Sequence, residues 1–160
     1  MPPTIKELFS TVSHPGRVKW ISIRPERGAP VQPVGQVTVS EQLGLVGDHY
    51  SGTNGKRHVT LIQAEHLDAV ASFVGLPALD PALLRRNIVV SGLNLLALKG
   101  KQFKLGNEVT LEYTGECHPC SQMEAALGKG GYNAMRGHGG ITARVIQGGE
   151  VRIGDEVSLV

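Results

Sequence analysis

The chain has 160 residues, of which 41% are hydrophobic, and its formal net charge at pH 7 is +2. This length predicts a single domain with a substantial core, and the small net charge argues against a nucleic-acid-binding protein. No segment approaches the roughly 20 apolar residues that span a bilayer, and the N-terminus lacks the apolar core of a signal peptide, so we expect a cytoplasmic protein without a membrane partner.

The predicted elements are mostly short strands joined by tight turns, in keeping with the 21 glycines of the chain. Alternating apolar residues predict strands over residues 17–24, 34–40, 58–62, 87–90, 102–105 and 109–113. The helical spacing of apolar residues in 64–74 predicts an amphipathic helix that ends at Gly75. Asp80 followed by Pro81 is typical of a further helix start.

The C-terminal segment carries a strong turn signal. Gly148 and Gly149 lie between the strand-like segments 141–147 and 150–153, which predicts a β-hairpin. Strands and helices do not alternate regularly along the chain, so a parallel sheet is not expected. The predicted fold class is therefore mainly β with short helices, arranged as a closed or half-closed β-barrel.

Cys117 and Cys120 are the only cysteines of the chain, and they form a C-x-x-C pair between a strand-like segment and a short helical one. Ser121 and Glu124 have the spacing of a capping box that would open this helix. Backbone N–H groups at a helix start favour the thiolate, the form of cysteine that attacks, carries sulfur or binds metal. In a reducing compartment such a pair is more often catalytic or metal-binding than a structural disulfide.

Four interpretations of this pair are compatible with the residues alone. It could be one reactive thiolate with a helper cysteine, a dithiol redox pair, half of a zinc site, or two ordinary buried cysteines. Zinc needs about four ligands, but there is no second C-x-x-C and no histidine pair with ligand spacing. A dithiol redox pair is typical of a thioredoxin-like βαβ context, which the sequence lacks.

Several basic residues are candidates for binding an anion. Arg85 and Asn87 flank Arg86 between a predicted helix and a predicted strand. Guanidinium groups pair with phosphate, and an asparagine amide can bond a heterocycle, although a solvated helix C-terminus explains this segment equally well. Arg57 precedes a strand and Arg136 precedes a glycine-rich segment, and each alone also fits a solvated loop.

Taken in chain order, these motifs resemble the MOSC domain, which is named after the C-terminal domain of molybdenum cofactor sulfurases. The matching segments are residues 47–48, 57–61, 85–92, 117–120, 136–140 and 149–157. The resemblance implies a strand-rich barrel over residues 17–160, preceded by an N-terminal extension of residues 1–16. It thus agrees with the fold class indicated by the strand pattern.

The resemblance also assigns roles to individual residues. Members of the family carry one reactive cysteine, which matches Cys120 and coordinates molybdenum in cofactor-binding relatives, so Cys117 becomes an accessory thiol. Arg85 and Asn87 match the residues that line the pterin and phosphate site of the molybdenum cofactor (molybdopterin). Arg57 is a plausible further cofactor-binding residue, and Arg136, in the matching segment 136–140, is expected to be another.

The function implied by the resemblance is binding of the molybdenum cofactor and reduction of N-hydroxylated compounds. One alternative is a sulfur carrier that forms a persulfide on Cys120 for cofactor or metal–sulfur cluster biosynthesis, and another is a non-enzymatic ligand-binding module. The chain has no room for the pyridoxal phosphate domain of the sulfurases. We therefore expect an external partner, either an electron donor or a cysteine desulfurase, alongside a small-molecule substrate.

Overall fold

The computed structural model describes residues 1–49 and 54–160. The strands in these residues are β1 (Gly16–Ile23), β2 (Gln32–Val34), β3 (Gln36–Ser40), β4 (Gly44–Leu45), β5 (Val59–Gln63), β6 (Ile88–Ser91), β7 (Gln102–Leu105), β8 (Val109–Glu116), β9 (Ile141–Gln147), β10 (Gly149–Arg152) and β11 (Glu156–Leu159). Eight of them form one sheet in the order β11-β7-β8-β9-β5-β6-β1-β2. Because β1 also pairs with β11, seven strands close into a barrel, which confirms the predicted mainly β fold.

The helices are short and are found in the connections between strands and in the N-terminal segment. They are α1 (Ile5–Leu8), α2 (Ala64–Val74), α3 (Ser121–Leu127), α4 (Gly131–Met135) and two 3-10 helices, Pro81–Leu84 and Leu95–Leu98. The predicted helix over 64–74 is confirmed as α2, which ends at Gly75 in the left-handed conformation (φ 76°). None of the helices in the described ranges is long and apolar enough to cross a membrane.

The barrel wall around β5 and β6 is covered on both faces. Leu61 and Val90 belong to the apolar core of the barrel, whereas their neighbours Ile62 and Val89 pack in a second cluster with α2, α3 and α4. Successive side chains of a strand point to opposite faces, so both faces of these strands are buried. Met123 of α3 lies in the second cluster, which holds this helix against the barrel.

The connection between β5 and β6 departs from the expectation of a sheet without parallel strands. These two strands pair in parallel, with Leu61 opposite Ile88, because α2 and the following 3-10 helix bring the chain back in the same direction. The other strand pairs in the described ranges are antiparallel. The crossover ends at residues 85–87, so this basic segment emerges at the start of β6.

The hairpin predicted around Gly148 and Gly149 is wrong. β9 pairs with β5 and β8 of the barrel, whereas β10 pairs with β3 in a separate sheet of order β10-β3-β4. A side chain at Gly148 would collide with the carbonyl oxygen of Val39 in β3. This glycine therefore permits the close approach of another strand rather than a hairpin turn.

The capping box predicted at Ser121 is also wrong. Cys120 is the N-cap of α3 and makes no side-chain cap hydrogen bond, and Ser121 is already the first helical residue. The Glu124 carboxylate instead accepts the N–H groups of Tyr132 (3.0 Å) and Gly130 (2.9 Å). These two bonds, led by that from Tyr132, hold the pKa of Glu124 below its ordinary value and tie α4 to α3.

The N-terminal segment lies before the barrel in sequence. Residues of α1 are exposed, and β1 begins at Gly16. The domain boundary after residue 16 stays a prediction.

Candidate functional site

A cavity of about 550 Å³ lies where the end of β1, the start of β6 and the cysteine segment meet. Its volume is in the range of small-molecule and cofactor sites. It brings together five of the six site residues predicted from the sequence, namely Arg57, Arg85, Asn87, Cys117 and Cys120.

The two cysteines of the cavity differ in exposure. Cys120 is exposed at the N-cap of α3, whereas Cys117 is buried with 3% of its surface accessible. Arg57 Nη2 donates to the Cys117 sulfur at 3.7 Å, and the Cys117 N–H donates to the carbonyl oxygen of Gly140 at 2.8 Å. Cys120 is therefore the thiol that a bound ligand or a partner can reach, and Cys117 is held inside.

Arg86 fastens the glycine-rich loop beneath the cysteine segment. Its Nε donates to the carbonyl oxygen of Gly139 at 2.8 Å and its Nη1 to that of Leu84 at 2.9 Å. A side chain at Gly139 would collide with the carbonyl oxygen of Cys117. The buried guanidinium and the missing Cβ together fix the position of Cys117 relative to β6.

The Asn87 side chain is used mainly within the protein. Its Oδ1 accepts from the backbone N–H (3.0 Å) and the hydroxyl (3.1 Å) of Thr60, and its Nδ2 donates to the carbonyl oxygen of Ser22 (3.2 Å). An amide nitrogen carries two hydrogens, so one N–H of Asn87 is left for a ligand. Asn87 thus lines the cavity while holding β1 and β5 together.

Arg85 adopts a strained backbone conformation at the cavity. Its φ of 60° makes it the one non-glycine residue with a positive φ in residues 1–49 and 54–160. Such strain costs of order 1–3 kcal/mol and is concentrated at functional sites. Arg85 Nη1 donates to Gln122 Oε1 at 2.9 Å, which links the crossover to α3 next to Cys120.

A cluster around Arg24 was missed by the sequence analysis. Arg24 Nη2 lies 3.0 Å from Nε2 of His49, and the backbone N–H of Arg24 donates to Asp48 Oδ1 at 2.7 Å. Its Nε is buried and has no hydrogen-bond partner in the part of the chain that the structure describes. Arg24 and His49 both follow strands closely in sequence. They are 25 residues apart, however, and a local sequence pattern does not indicate that two such distant residues are in contact. The match of residues 47–48 to the MOSC motifs was the available signal.

The positive charge of the cavity is poorly compensated. Asp48 is the one acidic residue of its lining, against Arg24, Arg57, Arg85 and Arg86. Neither of the two salt bridges found in the described part of the chain involves these arginines. Burial, followed by the charge of Arg85, lowers the pKa of Arg24 from its ordinary value, while Asp48 acts in the opposite direction. The cavity is therefore suited to an anionic ligand.

The comparison with known families identifies the family of the chain. A family model for the MOSC domain matches residues 37–158, which include the cavity residues from Asp48 onwards. The chain belongs to the MOSC family. No curated protein matches it in sequence.

Solved structures confirm the MOSC fold. This chain is similar to YuaD from Bacillus subtilis, with 20% identity, a TM-score of 0.78, and coverage of 91% of this chain and 96% of that one. YiiM from Geobacillus stearothermophilus is 18% identical with a TM-score of 0.72, and 91% and 75% of the chains are covered. YiiM from Escherichia coli is 22% identical with a TM-score of 0.67, and 90% and 69% are covered. At these identities the likeness shows the fold alone.

Arg136 does not join the other predicted residues in this MOSC domain. It is exposed, and its Nη1 donates to Asn133 Oδ1 at 3.5 Å. Arg136 does not line the cavity, although the glycine loop that follows it reaches Cys117 through Gly139 and Gly140. Arg136 therefore lies outside the group of five predicted residues that share the cavity.

The MOSC domain does not supply a full set of metal ligands from its own side chains. Within residues 1–49 and 54–160, no group of three or more His, Cys, Asp or Glu residues could hold a metal ion. A metal at this cavity would have a cysteine sulfur from the protein and would have to bring its remaining ligands. The donor set fits a metal carried by an organic cofactor better than a bare ion.

Proposed function

We propose that this MOSC protein binds a molybdopterin-type cofactor in the cavity, with Cys120 as the thiolate ligand of molybdenum. The observation that carries the proposal is one exposed thiol in a cavity that it shares with four arginines and one carboxylate. The MOSC family is associated with molybdenum cofactor binding in general. Such a cofactor carries a phosphate and its own sulfur ligands, so a single protein sulfur completes the requirement.

The residues of the cavity would divide the binding among them. Arg57 and Arg85 would pair with the phosphate, since guanidinium forks bind phosphate oxygens through two parallel hydrogen bonds. The remaining N–H of Asn87 could donate to an acceptor on the heterocycle. Arg86 would act indirectly, because its hydrogen bond to Gly139 keeps the cysteine segment in place before the cofactor arrives.

We propose reduction of an N-hydroxylated compound as the reaction class. Bound molybdenum supplies two-electron chemistry, and conversion of a hydroxylamine to an amine consumes two electrons and two protons and releases one water. The electrons would come from a partner redox protein. His49 and His118 also line the cavity, and an imidazole nitrogen can donate or accept a proton during a reaction.

Metal analysis of three proteins tests this function. The wild type, Cys120→Ser and Cys117→Ser are expressed in a host that makes the cofactor, and molybdenum is measured by mass spectrometry after purification. We expect stoichiometric molybdenum in the wild type and in Cys117→Ser, and little in Cys120→Ser. Equal molybdenum in all three proteins, or none in the wild type, would contradict the proposal.

A sulfur carrier is the second candidate, and the exposure of Cys120 favours it because a partner protein can reach this thiol. In that reaction the Cys120 thiolate attacks the outer sulfur of a desulfurase persulfide, and the desulfurase thiolate leaves. Intact-mass analysis of the same proteins after incubation with a cysteine desulfurase and cysteine separates the two functions. A one-sulfur adduct that depends on Cys120, in a protein without molybdenum, would support the carrier.

A further inference from the structure

A second cavity of about 710 Å³ adjoins the first and opens outside it. Arg24, His49, Arg85 and Gln122 line both cavities, and Arg27 and Gly28 line only the outer one. The outer cavity is therefore not an isolated depression. It continues the proposed cofactor site past the bridge between Arg85 and Gln122.

The outer cavity is also positively charged. Among the described residues, three arginines line it and no carboxylate does, because Asp48 lines only the inner cavity. Glu26 is adjacent to Arg27 in sequence but lines neither cavity. Like charges this close repel one another, so the arrangement costs free energy that a bound anion would offset.

The guanidinium of Arg24 is also suited to bind an anion. Its Nε is buried and has no hydrogen-bond partner among residues 1–49 and 54–160, and a buried donor left unpaired costs about 1–3 kcal/mol. Burial and, after it, the charge of Arg85 lower the pKa of Arg24, and Arg27 contributes in the same direction. The guanidinium thus has an unused donor and excess positive charge at the boundary between the two cavities.

We propose that the outer cavity binds the second phosphate of a ligand that contains a pyrophosphate group, whose first phosphate lies in the inner cavity. This inference rests on the proposed function, because it assumes that the inner cavity takes a phosphate-bearing cofactor. Arg24 and Arg85 line both cavities, so the two anionic groups must lie within reach of the same guanidiniums. Two directly linked phosphates satisfy this condition, and a forked guanidinium can bind oxygens of both.

Substitution of Arg27 tests the outer cavity without changing the inner cavity, where the cofactor is proposed to bind. Arg27 lines the outer cavity alone and is exposed, so its substitution removes one charge without disturbing the core. Arg152 provides a matched control, because it is an exposed arginine on β10 that lines neither cavity. Arg27→Gln and Arg152→Gln therefore change the net charge of the protein by the same amount, but only Arg27→Gln removes a charge from the outer cavity.

The test is calorimetric titration of the full chain, purified from a cofactor-deficient host, with inorganic pyrophosphate and with inorganic phosphate. Both titrations use magnesium-free buffer at one ionic strength. Pyrophosphate carries more charge than phosphate and binds any cationic surface more tightly, so the informative quantity is the ratio of the two Kd values in each protein. We expect Arg27→Gln to lower the preference for pyrophosphate about fivefold, as for a partly exposed charge pair, and Arg152→Gln to leave it unchanged.

The inference is overturned if the wild type binds pyrophosphate no better than phosphate. It is equally overturned if Arg27→Gln weakens both anions by the same factor, or weakens neither. Failure here is distinguishable from failure of the proposed function. A wild type that holds molybdenum but has no pyrophosphate preference sinks only this inference, whereas a pyrophosphate preference without molybdenum sinks only the cofactor assignment.

Discussion

Asn87→Ala is expected to destabilise the fold by about 3 kcal/mol, even though Asn87 lines the candidate cofactor cavity. The side chain makes three hydrogen bonds, two that it accepts from Thr60 and one that it donates to the carbonyl oxygen of Ser22. Thr60 belongs to β5, and Ser22 belongs to β1. Alanine would therefore remove a link between two strands that both contribute to the cavity wall.

The magnitude follows from the burial of this link. Asn87 has 9% of its surface accessible, and each buried hydrogen bond contributes about 1 kcal/mol net. The Thr60 N–H and the Ser22 carbonyl would be left without this partner, so the three bonds together contribute about 3 kcal/mol. In a domain of this size, about 3 kcal/mol corresponds to a fall in Tm of about 6–12 °C.

Urea unfolding of the ligand-free protein measures this loss through the fluorescence of Trp20, the single tryptophan of the chain. Asn107→Ala is the control, because Asn107 is exposed in the turn between β7 and β8 and should change stability by less than about 0.5 kcal/mol. If Asn87→Ala unfolds at the same urea concentration as Asn107→Ala, the hydrogen bonds of Asn87 do not support the fold, and the reasoning fails.

Two other changes give independent tests. Gly139→Ala should displace the cysteine segment and lower molybdenum retention strongly, whereas Gly137→Ala, where a Cβ meets no atom within 4 Å, should retain the metal despite a φ of 80°. Equal molybdenum content in the two variants would refute this prediction. Burial, followed by the charge of Arg144, holds the pKa of His58 below its ordinary value. The unfolded chain then binds the proton more readily, so stability should fall as pH drops below about 6.5, and His58→Gln should reduce that slope in urea titrations between about pH 7 and 5. An unchanged slope would contradict the assignment.

Several parts of the fold that depend on local signals were predictable, although the capping box at Ser121 was not among them. The apolar spacing in residues 64–74 and the glycine that follows gave α2 with its observed bounds. Asp80 caps the next helix as expected, through a hydrogen bond from the N–H of Ala82 at 3.0 Å. Such signals act within one or two turns of the chain, so the sequence contains all of the relevant partners.

The hairpin failed because its cause is not local. Two adjacent glycines between alternating segments are compatible with a tight turn and also with a close approach by a distant strand. In this protein the second cause applies, since β3 lies against Gly148 and pairs with β10. β3 is more than 100 residues away from Gly148 in sequence. The local pattern around Gly148 therefore gives no information about this contact.

The candidate site shows the same division between local and distant causes. The motif comparison selected Cys120, Arg85 and Asn87, and all three line one cavity. It gave no account of Arg24, whose backbone is hydrogen-bonded to Asp48 and His49 although β2, β3 and β4 lie between them in sequence. The charge balance of the cavity depends on such distant residues and therefore required the structure.

Residues 85–87 show how three consecutive side chains acquire different tasks. Arg85, with its positive φ, ends the 3-10 helix Pro81–Leu84 before β6 begins at Ile88, so the alternation of a strand does not apply to residues 85–87. Arg85 extends across the cavity to Gln122, Arg86 is buried beneath the cysteine segment, and Asn87 joins two strands. Arg86 and Asn87 make their hydrogen bonds within the protein and need no ligand for them. The cavity is thus held in shape before an anion enters it, and Arg85 is the member of the segment whose bonds are free to change on binding.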